Sequence, residues 1–408
     1  MKNISGNPYI TKEHGEIYLD SVPMNEILNR FKTPLLIFLE NRIRDNIKTF
    51  INIFSSEFTN FGCYYSFKAN YLSEICKIVL SEGIGAEIVG LPELKLALKI
   101  GFPSDRIIVG GPYLSKELIK LSIENKVKEI IIYDLNDLKK VNSIAQNSNY
   151  IQNICIRVNS QKYDSKLGVK LNEKKVTQFA QTLKSYQNIK IKSILSHYST
   201  QMNDINQFKQ NVSSIVYNLK LFSEHGIVIN DINLGGGFPE ATVMPQHQLK
   251  QIAKEMKTNL EELEVNYNHI YFEPGRYFLG DAGLFISKIV NVGENRWVFL
   301  NIGNNICPKF ARCSLRFYNV SQINKPHKHK TSIAGIIPTD QDVLAKDYFF
   351  TENLMKGDKV LVTNTGAYCL TFSNRFPYLL PKILLISNKS LKLIFDPNIH
   401  GDFSLNKL

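Results

Sequence analysis

The sequence predicts an α/β protein, a parallel (β/α)8 barrel followed by a second domain built of strands. Three observations carry this. The chain has 408 residues, which suits two domains or one large barrel with an attachment. Between about residues 63 and 275, eight short apolar runs alternate with segments of helical periodicity. After about residue 280 the helical pattern stops, and strands separated by turns take over.

The barrel strands are expected at residues 63–69, 86–90, 106–110, 129–134, 154–159, 191–197, 231–236 and 269–275. These runs are rich in β-branched and aromatic side chains, as strands buried on both faces are. Between them, residues 72–81, 115–126, 174–186 and 249–263 carry apolar side chains at helical spacing. An open doubly wound sheet fits the same alternation, but eight strands favour a closed barrel. An earlier strand at 35–40 precedes the first helix and stands outside the eightfold alternation, so it fits either domain; the barrel domain is expected over residues 35–280. Residues 284–292, 296–302, 359–364 and 382–387 read as strands of a β-sandwich or β-barrel domain. That domain is expected over residues 281–408, completed by residues 1–34.

Hydrophobic residues make up 44% of the chain and charged residues 21%, an ordinary globular balance that excludes wholesale disorder. No apolar run approaches the ~18 residues that span a membrane, and the first ten residues lack the apolar core of a signal peptide. A cytoplasmic, soluble protein is expected. The net charge is +12, from 49 basic and 37 acidic side chains. The lysines are dispersed, and the densest cluster, Lys325-Pro-His-Lys-His-Lys330, has no interleaved aromatics, so it reads as a solvated surface rather than a nucleic-acid interface. The six cysteines form no CxxC pair and no Cys/His quartet with ligand spacing, so neither a disulfide framework nor a metal is expected.

In a parallel barrel, chemistry sits at the C-terminal ends of the strands. There the sequence places Lys68-Ala-Asn70, Arg157-Val-Asn159, His197, Gly235-Gly-Gly237 and Glu273-Pro-Gly-Arg276. A lysine within a strand, after Tyr64-Tyr-Ser-Phe67, is costly to bury unless paired or neutral. A desolvated lysine is what Schiff-base chemistry uses. Gly235, Gly236 and Gly237 have no Cβ atoms, so backbone amides there can approach a phosphate; a tight turn explains them equally. Glu273 reads as a site carboxylate or as a capping or ion-paired one. His197 reads as a site imidazole or as a satisfied core histidine.

Together these segments resemble the fold-type III pyridoxal-phosphate decarboxylases, the ornithine and diaminopimelate decarboxylase group, over about residues 33–376. Tyr65-Ser-Phe-Lys-Ala-Asn70 looks like the cofactor-lysine segment, and Gly83-Ile-Gly-Ala-Glu87 through Pro92-Glu-Leu94 like the strand and helix start that follow it. His197-Tyr-Ser-Thr-Gln201, Asn233-Leu-Gly-Gly-Gly-Phe238, Glu273-Pro-Gly-Arg276 and Gly366-Ala-Tyr368 complete the set. The resemblance implies an alanine racemase-like barrel, pyridoxal 5'-phosphate as cofactor, and loss of the α-carboxylate from a small amino-acid substrate. It implies that Lys68 bonds the cofactor and later reprotonates the product. His197 would stack on the pyridine ring, and Glu273 would bond the ring nitrogen and keep it protonated, where the ring serves as an electron sink. Gly235, Gly236, Gly237, Gly275, Arg276 and the Tyr368 hydroxyl would hold the phosphate, with Thr200 in a serine's place and Arg157 behind. The family's head-to-tail homodimer with two shared sites is implied as well.

One segment departs from the family. Gly335-Ile-Ile-Pro-Thr-Asp-Gln-Asp-Val-Leu344 resembles the family's Gly-Pro-x-Cys-acid-x-x-Asp-Val-Leu, but the cysteine falls on Pro338 and the acid on Thr339. The family's acid binds a distal ammonium, which a threonine cannot pair as a carboxylate does. A register shift onto Asp340 weakens this argument, and Asp342 is a further acid in the segment. Nearby, Lys309, Arg312 and Arg316 suit carboxylate recognition or a solvated loop. The segment resembles the siderophore-pathway branch, whose substrate is an amino acid already joined to citrate. The leading expectation is therefore an N-citrylornithine-like substrate in rhizoferrin-type synthesis. Free ornithine, lysine, carboxynorspermidine or diaminopimelate is the alternative. A racemase or a non-catalytic cofactor-binding protein is a weaker reading, because the residues after the barrel form an extended second domain.

Overall fold

The computed structural model describes residues 2–160 and 165–401. The chain forms two compact units, one of residues 47–239 and 244–275, the other of residues 1–46, 240–243 and 276–408.

In the first unit, among the described residues, eight parallel strands close into a barrel in chain order. They are Phe61–Ser66, Gly85–Ile88, Ile107–Val109, Glu129–Ile132, Gln152–Arg157, Ile189–Leu195, Asp231–Asn233 and His269–Phe272. All eight stand where the sequence reading puts them, and helices Ser73–Ser81, Lys116–Glu124, Glu173–Leu183 and Gln246–Glu262 occupy the segments of helical spacing. Side chains fill the barrel: Tyr64, Ile108, Ile131, Cys155, Leu195 and Tyr271 pack on one another. The two tyrosine rings meet edge to face, centroids 5.7 Å apart. Glycines make room for them, since a Cβ on Gly62 would lie 2.6 Å from the Tyr271 ring and one on Gly85 would lie 2.6 Å from the Tyr64 ring.

Local signals set the helix starts. The Ser115 hydroxyl oxygen accepts from Leu118 N–H at 3.1 Å, and Asn172 accepts from Lys175 N–H at 3.0 Å. Asp204 and Gln207 form a capping box at the head of Ile205–Glu224. All eight strands end one to three residues before the sequence suggests, and for two of them the cause is local. The first stops at Ser66, and Phe67–Ala69 is a 3-10 turn, so Lys68 stands on the turn after the strand rather than inside it. The seventh stops at Asn233, because Gly235 takes φ +65° and leaves the extended region.

Among the described residues, the second unit has two sheets. Lys2–Ile4, Asn7–Glu13, Glu16–Leu19 and Val22–Pro23 form an antiparallel meander. The larger sheet runs Val343–Phe350, His329–Ala334, Trp297–Leu300, Gly283–Val292, Leu35–Leu39, Lys382–Ser387, Ser390–Phe395. Lys359–Thr363 pairs with both Gly283–Val292 and Arg316–Asn319. Ile10, Ile17 and Leu19 of the meander share a core with Leu35, Ile37, Leu284, Leu361 and Leu384.

The domain limit expected at residue 35 is corrected here. Leu35–Leu39 is buried along its whole length and lies between Gly283–Val292 and Lys382–Ser387, so it belongs to the β unit. The division falls within the helix Glu40–Glu57. The later limit falls at 275/276 rather than 280, and residues 240–243 also go with the β unit. A buried carboxylate ties this unit together: Asp281 accepts from Arg42 Nη2 at 2.6 Å and Asn46 Nδ2 at 2.8 Å, while its carbonyl accepts from Asn7 Nδ2 at 2.8 Å. No helix of the described residues is long and apolar enough to cross a membrane.

Candidate active site

The rim of the barrel is built at the C-terminal strand ends. Lys68 extends from the turn that follows Phe61–Ser66, and its Nζ lies 2.8 Å from Glu87 Oε2. Glu87 is buried in the neighbouring strand and also accepts from the Ser66 hydroxyl. Ser66 and Glu87 are register partners in the parallel ladder, so strand pairing itself sets the geometry around the lysine. Lys68 is therefore part-exposed and ion-paired rather than desolvated, as the sequence suggested. One turn further on, buried Glu93 accepts from Val89 N–H at 2.8 Å. Burial pushes the Glu93 carboxyl up to about 7, opposed by that hydrogen bond.

Glu273 follows the last barrel strand and is buried. Its Oε1 accepts from Asn233 Nδ2 at 2.7 Å. Burial raises its carboxyl to about 7; Glu87 adds to the rise, while Lys68, Asn233 and Arg157 oppose it. Arg157 Nη1 donates to the Tyr133 hydroxyl at 2.7 Å, with the guanidinium over the Tyr133 ring. Its Nε is buried without a partner. His197 Nδ1 accepts the Gly236 amide at 3.2 Å, so a neutral ring carries its proton on Nε2.

The triple glycine does a different job from the one its composition suggests. The Gly235 amide goes to Asn233 Oδ1 at 2.9 Å and the Gly236 amide to His197, so two of the three amides are engaged within the loop. What glycine supplies is close approach. A Cβ on Gly236 would lie 2.3 Å from Glu273 O, and one on Gly237 would lie 2.3 Å from Ser199 O.

In the β unit, Arg276 heads the short helix Arg276–Leu279. Its Nη2 donates to Ala311 O at 2.6 Å, its Nη1 reaches Glu240 Oε1 at 3.3 Å, and its guanidinium lies over the Tyr368 ring at 4.7 Å. The Arg276 Nε is buried and unpartnered. Burial raises the Glu240 carboxyl, against the pull of Arg276. Tyr368 takes φ +67° and stacks on Phe372. Gly366 lies so close to the Arg276 helix that a Cβ would meet Leu279 O at 2.0 Å.

The remaining candidates divide by what they already touch. Gly275 lies buried in the bend between Glu273 and Arg276. Thr200 is exposed, as are Lys309, Arg312, Thr339 and Asp340. Arg316 is committed to backbone carbonyls, Ser5 O at 2.5 Å and Thr242 O at 3.5 Å. Asp342 is buried, and both its oxygens accept amides, from Asn304 at 2.6 Å and Ile337 at 2.8 Å. Arg316 and Asp342 thus hold loops in place. Sequence reasoning did not single out Glu87, Glu93, Asn233, Tyr133 or Glu240. Glu87 carried a usable signal, a carboxylate within the apolar strand Gly85–Ile88.

This donor set fits pyridoxal phosphate. It offers an amine for an aldehyde, a buried carboxyl that keeps a proton near neutrality and an imidazole with one nitrogen pinned. The fold and these side chains define a cofactor-dependent (β/α)8 enzyme.

Residues 44–280 match the pyridoxal-binding domain of the pyridoxal-dependent decarboxylases. The chain belongs to that family and is a pyridoxal-phosphate-dependent carboxy-lyase. It is 25% identical over 425 residues to the diaminopimelate decarboxylase of Methanocaldococcus jannaschii, covering 97% of this chain and 96% of that protein. It is 25% identical over 389 residues to a decarboxylase of Niallia circulans that is named for an L-glutamyl group on an acyl-carrier protein, covering 87% and 88%. A crystal structure of diaminopimelate decarboxylase from M. jannaschii shares the fold, with TM-score 0.86, 24% identity and 96% of both chains covered.

The raised carboxyl predicts a pH dependence of stability. Glu273 keeps its proton up to about 7 in the folded protein, against an ordinary value of 4.5. The folded state therefore holds the extra proton, and stability from this group is complete below 4.5 and is lost as pH rises through 7. Thermal unfolding of the cofactor-free protein should show Tm falling between about pH 5 and pH 8. Glu93 titrates in the same window, so Glu273→Gln should reduce that slope without abolishing it, and an unchanged slope would place the proton elsewhere.

Proposed function

We propose that the enzyme removes the α-carboxylate of a diamino acid with a charged distal end, such as diaminopimelate, ornithine or lysine. The observation that carries this reading is the likeness to a diaminopimelate decarboxylase along 97% of the chain. When bound, pyridoxal phosphate supplies the electron sink for the carbanion left as CO2 departs. Lys68 would hold the cofactor through its amine and, at Nζ, would hold a proton for the product. Glu87 and Ser66 orient that nitrogen. Glu273 holds a proton for the ring nitrogen, and Asn233 fixes the direction of the carboxyl. His197 flanks the ring. The phosphate is assigned to the Gly237 amide, Gly275, Arg276, Tyr368 and Thr200, with Gly235 and Gly236 shaping the loop and Arg157 orienting Tyr133. Asp340 is the exposed acid for a distal ammonium, and Lys309 and Arg312 are the exposed cations for a distal carboxylate.

A second reading keeps the mechanism and blocks the distal amine, as in N-citrylornithine of rhizoferrin-type siderophore synthesis. Pro338 and Thr339 favour it, because they stand where the family has its cysteine and acid. The Niallia circulans relative, named for a carrier-bound glutamyl group, is a family precedent for a conjugated substrate.

We further propose a head-to-tail homodimer. Phe310, Phe372, Phe376, Tyr378 and Leu379 are exposed, and the Phe310 and Phe372 rings lie 4.9 Å apart. Exposed apolar groups gathered in this way are what subunit interfaces cover.

Three measurements test these statements. Lys68→Ala should lose the visible absorbance of bound cofactor; an unchanged band removes Lys68 from its role. Purified holoenzyme given diaminopimelate, ornithine, lysine and N-citrylornithine together should release CO2 from a free diamino acid, as read by mass spectrometry. Turnover of the citryl conjugate alone would replace the first reading with the second. Sedimentation should show a dimer, and a fully active monomer would sink the shared-site proposal.

A further inference from the structure

Cys307, Cys313 and Cys369 gather in the β unit, and none is in a disulfide. The Cys369 sulfur lies 3.5 Å from that of Cys313 and 3.6 Å from that of Cys307, which is contact distance for two sulfurs. Cys307 and Cys369 are buried, and Cys313 is part-exposed. Arg276 Nη1 points at the Cys313 sulfur from 3.9 Å, and the Cys313 thiol donates to Ala367 O at 3.5 Å. Buried cysteines are ordinarily small hydrophobes, as Cys76 and Cys155 are here. This trio differs because three separate segments bring sulfur against sulfur, with a cation at the outermost thiol.

We propose that the trio is a thiol–disulfide site oxidised by a hydroperoxide, with Cys313 as the entry thiol and Cys369 as its partner. The peroxide O–O bond breaks as the Cys313 sulfur takes one oxygen, and the other oxygen leaves as water or alcohol. The Cys369 sulfur then attacks the Cys313 sulfur, the S–S bond forms, and the first oxygen leaves as water. The thiol pair loses two electrons and two protons, and the peroxide gains both. Cys307 can next attack Cys369, moving the disulfide to the buried pair and returning Cys313 as a thiol, with no net change in electrons. The hydrogen bond with Cys369, and then burial, push the Cys313 thiol above its ordinary range. The site therefore rests reduced and responds to a heavy oxidant load. The proposal is independent of which amino acid is decarboxylated.

The test is peptide mapping of holoenzyme treated with hydrogen peroxide, alkylated and digested. Cys369 should appear cross-linked to Cys313 or Cys307, and dithiothreitol should restore the thiols. Cys313→Ser should slow loss of the Cys369 thiol by roughly tenfold, because the accessible thiol is gone. Cys307→Ser should trap the bond at Cys313–Cys369. A Cys369 that stays alkylatable after part-exposed Cys63 has oxidised would overturn the proposal. So would a Cys313→Ser protein that cross-links at the wild-type rate.

Discussion

The barrel rim depends on one ion pair. Glu87 is buried, and an unpaired carboxylate there would cost several kcal/mol. Lys68 supplies the charge and Ser66 a second hydrogen bond to the same oxygen. Because Ser66 and Glu87 sit opposite one another in adjacent strands, a one-residue slip would turn the acid away from the rim. The pair also acts on its neighbour. Burial is the main cause that raises the Glu273 carboxyl; negative Glu87 adds to the rise and positive Lys68 restrains it.

Asn233 joins the two halves of the rim in a similar way. Its amide oxygen takes the Gly235 N–H and its amide nitrogen serves Glu273, so one side chain both shapes the glycine turn and aims the carboxyl. The next amide in the turn pins His197. Turn, carboxyl and imidazole are thus set by a single continuous stretch of hydrogen bonds, and the glycines serve it by letting backbone segments touch.

The barrel was legible because its strands are buried on both faces and its helices are amphipathic, which leaves two distinct periods in the chain. The rim residues Lys68, His197 and Glu273 could be named because they are polar groups at strand ends. Glu87 was harder to see, since a buried acid in a strand acquires meaning only when register brings Ser66 and Lys68 to it. In the β unit, Val343–Phe350 escaped notice because four of its eight residues are only part-buried and three more are exposed, and Asp347 turns to φ +53°, which erases alternation. His329–Ala334 begins inside the lysine–histidine cluster that composition reads as solvated surface. The side chains of Arg316 and Asp342 look like recognition groups in sequence, and only the fold shows their hydrogen bonds already satisfied. Leu35–Leu39 was misplaced because pairing partners more than two hundred residues away leave no local trace.

That strand has a consequence for how the chain is made. Leu-Leu-Ile-Phe-Leu leaves the ribosome early, yet both of its neighbours, Gly283–Val292 and Lys382–Ser387, are synthesised after the whole barrel. At ~5–20 residues per second the wait is on the order of tens of seconds. For that interval a fully apolar segment waits without its strand partners, a natural target for a chaperone. Completion of this sheet therefore waits for the synthesis of Lys382–Ser387.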